Sequence, residues 1–261
     1  MARSHRQDQI LALLKARGKA AITFLAEEFD VSDETIRRDL KSLSGDGLVE
    51  KFHGGVRLSM PRSEPPFERR LSENAAAKAA IAARTASHIR EGATLLLDNS
   101  TTACFLAREL TRREPMTILT ISLEIAQILN AGGGQHRVIL PGGELRKADR
   151  TLTGAGTISY LSGFSPSYFV MSVVAGSARG CQDFDLFEVE FKRAMIARAD
   201  ETILMMDHGK FSKSGLIHVC DWSDVDVLVT DGAPPEIAEQ IDHGHLLLTG
   251  DPAEPLAGDR T

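Results

Sequence analysis

The sequence is poor in cysteine, and the few cysteines it has lie far apart. Its 261 residues include three, Cys104, Cys181 and Cys220, and no Cys-x-x-Cys pair. An odd number at such spacing argues against a disulfide framework and a zinc ribbon, so a reducing cytosol is the expected compartment. The histidines also lack the spacing of metal ligands. We therefore predict no metal site and no cofactor.

Long apolar runs are lacking too. No stretch approaches the roughly 18 apolar residues that a membrane-spanning helix needs, and residues 1–7 are polar where a signal peptide would be apolar. We therefore expect a soluble cytoplasmic protein with no membrane partner. Glycine and proline, at 22 and 10 residues, are also too few for a collagen-like or wholly disordered chain.

The sequence also lacks an excess of basic residues. Lys and Arg number 30 against 36 Asp and Glu, a net charge of -6, which for the whole chain argues against a nucleic-acid-binding protein. The acidity is unevenly distributed, however. Residues 1–58 hold ten Lys and Arg against nine Asp and Glu. The negative excess therefore lies in the rest of the chain, and nucleic-acid binding by residues 1–58 stays open.

Changes in composition divide the chain. Prolines at positions 61, 65 and 66 interrupt helix and strand and indicate a linker. Beyond it, short apolar runs alternate with helical segments, an order typical of a mostly parallel sheet covered on both faces. The strands are predicted at 94–97, 117–120, 138–140, 168–174, 202–206, 225–229 and 246–248. The predicted domains are residues 1–58, a linker 59–73, an α/β domain 74–250 and a flexible tail 251–261.

The N-terminal residues show the pattern of three short helices. Ser32 is a good N-cap for the third, in which Ile36, Leu40 and Leu43 share one buried face. The outward-facing side chains are those of Thr35, Arg37, Arg38 and Lys41. A helix, a tight turn and a second helix that offers hydroxyl and guanidinium groups describe a helix-turn-helix, whose second helix can enter the major groove of DNA.

A β-ribbon is predicted after these helices, at residues 48–58, which makes the unit a winged helix. Gly54 and Gly55 would let the backbone of the wing approach a phosphate closely, with Lys51, His53 and Arg57 nearby. The alternative is a small protein-binding or dimerising module, with the two arginines of the third helix as an ordinary solvated face. The pattern by itself leaves both open.

Polar side chains follow several of the predicted strands. Residues 98–102 come after the strand 94–97 and open a helix, so they form either an anion site at the helix N-terminus or a simple N-cap. Gly142 and Gly143 follow the strand 138–140 and are a weaker signal, since such pairs are common in turns. Open α/β sheets bind ligands at this end of their strands. The two segments are therefore candidates for one ligand site.

Two further pairs of charged residues point to the same kind of ligand. Glu188 and Lys192 lie four residues apart on one helix face, as an ordinary ion pair or as part of a site. Asp207 and Lys210 follow the strand 202–206, and a carboxylate that accepts from hydroxyls beside a lysine that meets phosphate suits a phosphorylated polyol. The predicted effector-binding residues are Asp98, Asn99, Ser100, Thr101, Thr102, Gly142, Gly143, Glu188, Lys192, Asp207 and Lys210.

These motifs resemble the DeoR family of bacterial regulators of sugar metabolism. TIRRDL at residues 35–40 and HGG at 53–55 resemble its helix-turn-helix and wing, and the motifs at 183–194, 207–211 and 230–235 resemble its sensor domain. The resemblance spans the chain to about residue 235 and is greatest to the branch that includes the glycerol-3-phosphate regulon repressor. Ser100 and Gly209 depart from that branch, which usually has glycine and serine there. The resemblance therefore implies the class of ligand and not its identity.

The resemblance implies a ligand-responsive transcription factor. Its third helix would contact double-stranded operator DNA through Ser32, Thr35, Arg37, Arg38 and Lys41. In the same helix, Asp39 would orient an arginine. Two-fold operators imply a homo-oligomer, a dimer or higher. The expected function is repression of a carbohydrate or polyol operon, relieved by a phosphorylated sugar or polyol, with activation by the same ligand class as an alternative.

An enzyme is the other alternative, because the sensor domain of the family is similar to sugar-phosphate isomerases. Those enzymes need a carboxylate general base on the helix that here contains Lys192 and Arg193. Matching the shared helix and the downstream lysine turn places Arg193 where the isomerase has its glutamate. An arginine cannot abstract a proton from carbon near neutral pH. The expectation is therefore a larger α/β sensor domain of isomerase-like architecture that is not an enzyme.

Overall fold

The computed structural model describes residues 5–45, 48–52, 54–58, 64–241 and 245–249. By its internal contacts the chain divides into two compact units, residues 1–62 and 63–261. The predicted tail at 251–261 and His53 of the predicted wing lie outside the described residues.

The first unit combines helices with a small antiparallel sheet. Its described elements are α1 His5–Arg17, β1 Lys19–Ala21, α2 Ile22–Glu28, α3 Asp33–Gly45, β2 Val49–Phe52 and β3 Gly55–Leu58. The strands lie in the order β1-β3-β2. The predicted helix-turn-helix and ribbon are confirmed. The strand β1 was not predicted, and it extends the ribbon to a three-stranded sheet.

A single apolar core holds this unit together. Ile10 and Leu14 of α1, Leu25 of α2, and Ile36 and Leu40 of α3 are fully buried. Each belongs to one stripe of its helix, and burying such a side chain contributes about 1.5 to 3 kcal/mol. The packing of these stripes fixes which face of α3 is left to solvent.

The second unit is an α/β domain with several small appendages. Its described strands are β4 Thr94–Leu97, β5 Thr117–Thr120, β6 Arg137–Ile139, β7 Glu144–Arg146, β8 Thr151–Thr153, β9 Tyr168–Met171, β10 Ala175–Ser177, β11 Gly180–Asp183, β12 Glu201–Met206, β13 Ile217–Cys220, β14 Val227–Thr230 and β15 His245–Leu248. Its described helices are α4 Phe67–Ser72, α5 Ala75–His88, α6 Thr101–Leu110, α7 Leu123–Ala131, α8 Ala155–Leu161, α9 Leu186–Ile196 and α10 Pro235–Ala238. Short 3-10 turns at His208–Ser212 and Trp222–Asp224 complete it.

Seven of these strands form one parallel sheet, in the order β15-β14-β12-β9-β4-β5-β6. This confirms the predicted mostly parallel sheet. After β4 the chain adds β5 and β6 on one side and then crosses to add β9 on the other. The strand order therefore reverses between β4 and β9, and open α/β sheets bind ligands outside the carboxyl ends of strands at such a switch point.

Both faces of the sheet are covered by apolar side chains. Leu95 and Leu97 point into a core that includes Ile81 of α5 and Leu106 of α6, whereas Leu96 points into the opposite core. That second core contains Val189, Phe191 and Met195 of α9. A sheet buried on both faces explains why its strands are continuous apolar runs in the sequence.

The helix α4 lies inside the stretch for which the sequence predicts a linker, 59–73. Its first residue, Phe67, is buried in the core beside α6 and belongs to the second unit. The prolines at positions 65 and 66 precede the helix rather than interrupt it, and Pro66 occupies its N-cap. The predicted domain boundaries at 58 and 74 stay predictions.

Candidate DNA-binding surface and effector site

The helix α3 presents the predicted DNA contacts to solvent. The Ser32 hydroxyl accepts a hydrogen bond from the Thr35 backbone at 3.3 Å and lies 2.9 Å from the Thr35 hydroxyl, so Ser32 caps the helix. Arg37, Arg38 and Lys41 are exposed. The structure thus places the three basic side chains on the face opposite the core, while the two hydroxyls already bond to each other at the helix start.

Asp39 is the buried acid of this helix. Its carboxylate lies 2.6 Å from the Arg6 guanidinium, which comes from α1. The resemblance implied that Asp39 orients an arginine, and the arginine that it contacts in the structure is Arg6. A charge-assisted bond between α1 and α3 fixes the rotation of α3 about its axis, and with it the direction of the exposed basic side chains.

The wing is built tightly at its glycines. Gly54 has a φ of +79°, a conformation that side chains rarely adopt, and a Cβ on Gly55 would lie 2.8 Å from the Ala20 carbonyl oxygen. Lys51 is exposed. Arg57 donates to Glu50 across the ribbon at 2.9 Å, so its guanidinium is already engaged. Both glycines therefore have a structural reason to be there, whatever else they contact.

Asp98 ties together the two strands that flank the switch point. It follows β4 directly and is fully buried. Its carboxylate accepts from the Ser100 backbone at 2.9 Å and from the Ser172 backbone, just past β9, at 2.7 Å. Burial raises the pKa of Asp98, against the attraction of Lys192 and these donors. Asp98 thus has a structural role, since it links the ends of β4 and β9 at the site.

The helix α6 begins at the same place. Ser100 caps it, because the Ser100 hydroxyl accepts from the Ala103 backbone at 3.1 Å. Thr101 and Thr102 are buried, and among the described residues the Thr102 hydroxyl has no hydrogen-bond partner. The sequence left open whether this turn is a cap or an anion site. Ser100 acts as the cap, and the buried Thr102 hydroxyl is a polar group left without a partner among the described residues.

Asn99 lies at the centre of a buried polar network. Its side-chain nitrogen lies 3.1 Å from Asp149, 3.0 Å from the Thr151 hydroxyl and 3.0 Å from Glu188. Within the described part of the chain, the side-chain oxygen of Asn99 finds no donor. A buried carbonyl oxygen without a donor is costly, so it suits a ligand hydroxyl.

Glu188 and Lys192 form a buried ion pair with Asp183 rather than a surface one. Lys192 Nζ lies 2.6 Å from Asp183 and 3.5 Å from Glu188. Burial opposes charge on Lys192, but Asp183, Glu188 and Asp98 outweigh it and raise the Lys192 pKa. Burial would likewise raise the pKa of Glu188, yet Lys192, Asn99 and Arg146 lower it to about 2. Both groups are therefore charged at neutral pH.

Arg146 is a site residue that the sequence pattern did not reveal. It lies at the end of β7, in the hairpin β7–β8, and its guanidinium bonds to three carboxylates. The distances are 2.5 Å to Asp149, 3.0 Å to Asp185 and 2.5 Å to Glu188. A single sequence gives no way to distinguish this arginine from an ordinary surface arginine. A basic residue just past a Gly-Gly turn at a strand end was the available signal.

The glycines at 142 and 143 position that hairpin. A Cβ on Gly143 would lie 2.7 Å from the Thr153 carbonyl oxygen, so only glycine allows this close approach. The Thr157 hydroxyl donates to the Gly142 carbonyl at 2.9 Å. Packing thus explains Gly143, whereas a Cβ on Gly142 would meet nothing within 4 Å. Ligand contact through either residue stays a prediction.

Lys210 closes the other end of the site. Its Nζ lies 2.6 Å from the Ser172 hydroxyl and 2.7 Å from the Val173 carbonyl. An ammonium has three donors, so one remains for a ligand. Burial is the main cause that lowers the Lys210 pKa, to about 8, although Asp207 and Glu64 act to raise it. Asp207 itself accepts from the Asn74 side chain at 2.7 Å and from the Gly209 backbone.

The structure brings most of the predicted effector residues to one end of the sheet. Ser172 joins Asp98 to Lys210 at the switch point. Asn99, the residue after Asp98, bonds to Glu188, and Glu188 bonds in turn to Lys192. Sequence reasoning missed several residues that link them, namely Asn74, Arg146, Asp149, Thr151 and Ser172. The site has a carboxylate-rich end around Arg146 and a cationic end at Lys210.

Arg193 lies outside this network. Its guanidinium donates to the Val219 carbonyl at 3.1 Å and to the His218 carbonyl at 2.6 Å, which are on β13. The carboxylate of α9 in the site is Glu188, one turn earlier. With its pKa near 2, Glu188 is a weak base, poorly matched to removing a proton from carbon at neutral pH.

The described part of the chain shows neither a group of metal ligands nor a membrane-spanning helix. There, no three His, Cys, Asp or Glu side chains are grouped so that they could hold a metal ion. Nor does any helix in the described ranges combine the length and apolarity needed to cross a membrane.

Comparison with known proteins matches each of the two units to a known domain family. The DeoR-like helix-turn-helix domain matches residues 6–62, and the DeoR C terminal sensor domain matches residues 73–232. Among solved structures, the chain is similar to ribose 5-phosphate isomerase A from Methanocaldococcus jannaschii, with a TM-score of 0.39 and 11% identity over 53% of this chain and 55% of that one.

Curated relatives resemble the whole chain. It is 33% identical to the glycerol-3-phosphate regulon repressor of Escherichia coli, over 95% of this chain and 99% of that protein. It is 34% identical to the transcriptional repressor CsqR of Escherichia coli, over 88% of each. It is 34% identical to the transcriptional repressor AccR of Agrobacterium fabrum, over 90% of this chain and 92% of that protein. With both domains matched and the whole length related, the chain belongs to the DeoR family.

Proposed function

We propose that this protein is a transcriptional repressor that binds operator DNA through its first unit and leaves it when a phosphorylated sugar or polyol binds its second. The relatives support repression, since they are named repressors, one of them of a glycerol-3-phosphate regulon and another of a lactose phosphotransferase system. The regulated operon would be one for carbohydrate or polyol use. The protein would act without catalysis.

We infer the chemical class of the effector from the way charge is distributed along the site. One end holds Lys210, a half-buried ammonium that keeps one donor to spare beyond its bonds to Ser172 and Val173. Such a group suits the oxygens of a phosphate. The other end holds Asn99 and the carboxylates around Arg146, which suit hydroxyl groups. A compound with one phosphate and several hydroxyls matches both.

The DNA contacts are proposed from the geometry of α3. Its exposed basic residues, Arg37, Arg38 and Lys41, would meet base edges and phosphates in the major groove. Lys51 of the wing would contact the backbone. Because a two-fold operator presents two half-sites, we propose at least a dimer in solution. Sedimentation of the full chain measures this directly.

The DNA half of the proposal is tested by binding to fragments that the protein selects from a random pool. Affinity should fall steeply with salt, because basic side chains displace counterions from phosphates. Arg37→Ala should weaken binding to selected sequences by about 1 to 3 kcal/mol. Arg112→Ala, an exposed arginine of the second unit, is the matched control. Binding that is absent or insensitive to salt would rule out the regulator.

The effector half is tested by thermal shift with paired compounds, each sugar or polyol with and without its phosphate. A ligand that binds only the folded protein raises Tm. Glycerol 3-phosphate should stabilise the protein where glycerol does not, or another phosphorylated member of the panel should. Lys210→Gln should abolish the shift. Stabilisation by unphosphorylated compounds only would refute the phosphate assignment.

A further inference from the structure

The face of α3 that lies opposite the core carries an acidic side chain, Glu34. It is the second residue of the helix, and it is exposed. Successive residues of an α-helix are about 100° apart, so Glu34 lies about 160° around the helix from the fully buried Ile36. Arg38 follows Glu34 by four residues and Lys41 follows Arg38 by three, which places them in one row. Glu34 therefore lies on the face that we assign to DNA.

The charge of Glu34 is not compensated within the protein. Among the described residues its carboxylate has no hydrogen-bond or ion-pair partner, although Arg38 lies one turn away in the same row. Asp39 of the same helix differs, because it is buried and paired with Arg6. DNA would bring phosphates toward the exposed face, and an uncompensated carboxylate there lowers the affinity. The presence of Glu34 therefore needs a reason other than attraction to DNA.

The helix dipole gives only part of that reason. An acid in the first turn stabilises a helix, because the helix N-terminus carries a partial positive charge. Asp33 and Glu34 both lie in that turn, so either side chain would do this. Asp33, however, is about 60° from Ile36 around the helix, and it lines a cavity together with Glu27 of α2. The dipole accounts for an acid at this end of α3 but does not determine the face on which the acid lies.

We propose that Glu34 reads the DNA sequence, because its carboxylate accepts a hydrogen bond from the amino group of a cytosine in the major groove. This inference rests on the proposed function, since it takes α3 to enter that groove. In a helix-turn-helix the N-terminal residues of the second helix contact base edges, and Glu34 is the second residue of α3.

The choice of cytosine follows from the chemistry of the base edges. A carboxylate only accepts hydrogen bonds. In the major groove guanine and thymine present acceptors, adenine presents a donor beside an acceptor, and cytosine presents a donor alone. Acceptors repel the carboxylate, so cytosine is the base that it fits best.

The role of Glu34 is discrimination between sequences rather than affinity. The exposed basic residues Arg37, Arg38 and Lys41 attract any DNA. Glu34 is repelled by phosphates and by the wrong bases, and only a correctly placed cytosine offsets that repulsion. An unpaired charge set against the wrong partners is a general source of specificity.

Selection from a random DNA pool tests the base contact with the full chain and three variants. The original chain should prefer cytosine at one position of the selected site by about fivefold or more. Glu34→Ala should remove that preference, and Glu34→Gln should shift it toward adenine, whose edge an amide matches. Asp33→Asn is the matched control, because it removes the same charge from the same helical turn but not from this face. Its selected sequence should equal that of the original chain.

Affinities for a selected and an unselected duplex give a second readout. Glu34→Ala should bind the unselected duplex at least as tightly as the original chain does, yet lose about fivefold or more in the ratio of the two affinities. Asp33→Asn should keep that ratio. A loss of stability from the helix dipole would affect both variants alike, so the ratio separates base readout from a structural role.

The outcomes distinguish this inference from the proposed function. If the original chain selects no sequence, both are wrong. If it selects one and Glu34→Ala selects the same sequence with the same ratio, the inference alone is wrong. If Glu34→Ala instead loses a guanine preference that Arg38→Ala also loses, Glu34 only orients Arg38, and the cytosine contact is likewise overturned.

Discussion

Lys192 Nζ lies 2.6 Å from Asp183 Oδ2, with 2% and 3% of the two side chains exposed. The same ammonium compensates Glu188. Lys192→Met would leave Asp183 buried without its cation and Glu188 paired with Arg146 alone, and breaking a buried pair in this way costs about 3 to 5 kcal/mol. We expect that loss in the free energy of unfolding measured in urea. Lys213→Met, an exposed lysine, should change it by less than about 0.5 kcal/mol.

The bond between Arg6 and Asp39 gives a prediction for the first unit. Asp39→Asn keeps the shape of the side chain but weakens a 2.6 Å charge-assisted bond that joins α1 to α3. The unfolding free energy of the first unit should fall by about 1 to 3 kcal/mol. Because Asp39 is buried and supports α3 from behind, the salt dependence of DNA binding should not change. A change in that slope would mean that Asp39 acts at the DNA surface.

We predict that Gly55 is required for the packing of the wing and not only for DNA binding. An added Cβ would lie 2.5 Å from the Phe52 ring and 2.8 Å from the Ala20 carbonyl oxygen. Overpacking of this kind costs about 1 to 3 kcal/mol, so Gly55→Ala should lower the Tm of the first unit even without DNA. Gly156→Ala, in α8 where nothing lies within 4 Å, is the control and should be neutral or stabilising. An unchanged Tm for Gly55→Ala would leave only a role in DNA contact.

The sequence predicted the main sheet well because its strands are buried on both faces. The runs 94–97 and 117–120 coincide with β4 and β5. The strand predicted at 168–174 ends at Met171 instead, since the Ser172 backbone turns to bond Asp98. Apolar character continues past that point, so hydrophobicity does not show where pairing stops. The three residues of β1 are too few to show any period.

The site was predictable mainly where a strand end carried polar residues, and otherwise through the four-residue spacing of Glu188 and Lys192 on one helix face. Asp98, Asn99, Asp207 and Lys210 each follow a strand, and parallel strands bring such positions together. The bond between Asn99 and Glu188 joins residues 89 apart and depends on how α9 packs on the sheet. No local pattern contains that distance.

The pKa of Lys210 makes effector binding depend on pH. Burial lowers this pKa to about 8, against Asp207 and Glu64, so the free site begins to lose its cation just above neutral pH. A phosphate beside Nζ favours the charged form, so the pKa in the complex lies above 8. The affinity for the phosphorylated effector is therefore greatest below about pH 8, and it falls as the pH rises from there toward the pKa of the complex. The phosphate itself is already a dianion there, since its second pKa is about 6.

We accordingly expect the affinity for glycerol 3-phosphate, measured calorimetrically from pH 7 to 9.5, to be level up to about pH 8. Above that it should decline by up to about tenfold per pH unit. Lys210→Arg provides the control, because a guanidinium stays protonated throughout this range. Its affinity should be independent of pH above 7, even if lower overall. An equal decline in the arginine variant would assign the pH dependence to another group, and a level profile in the original chain would remove Lys210 from the anion end.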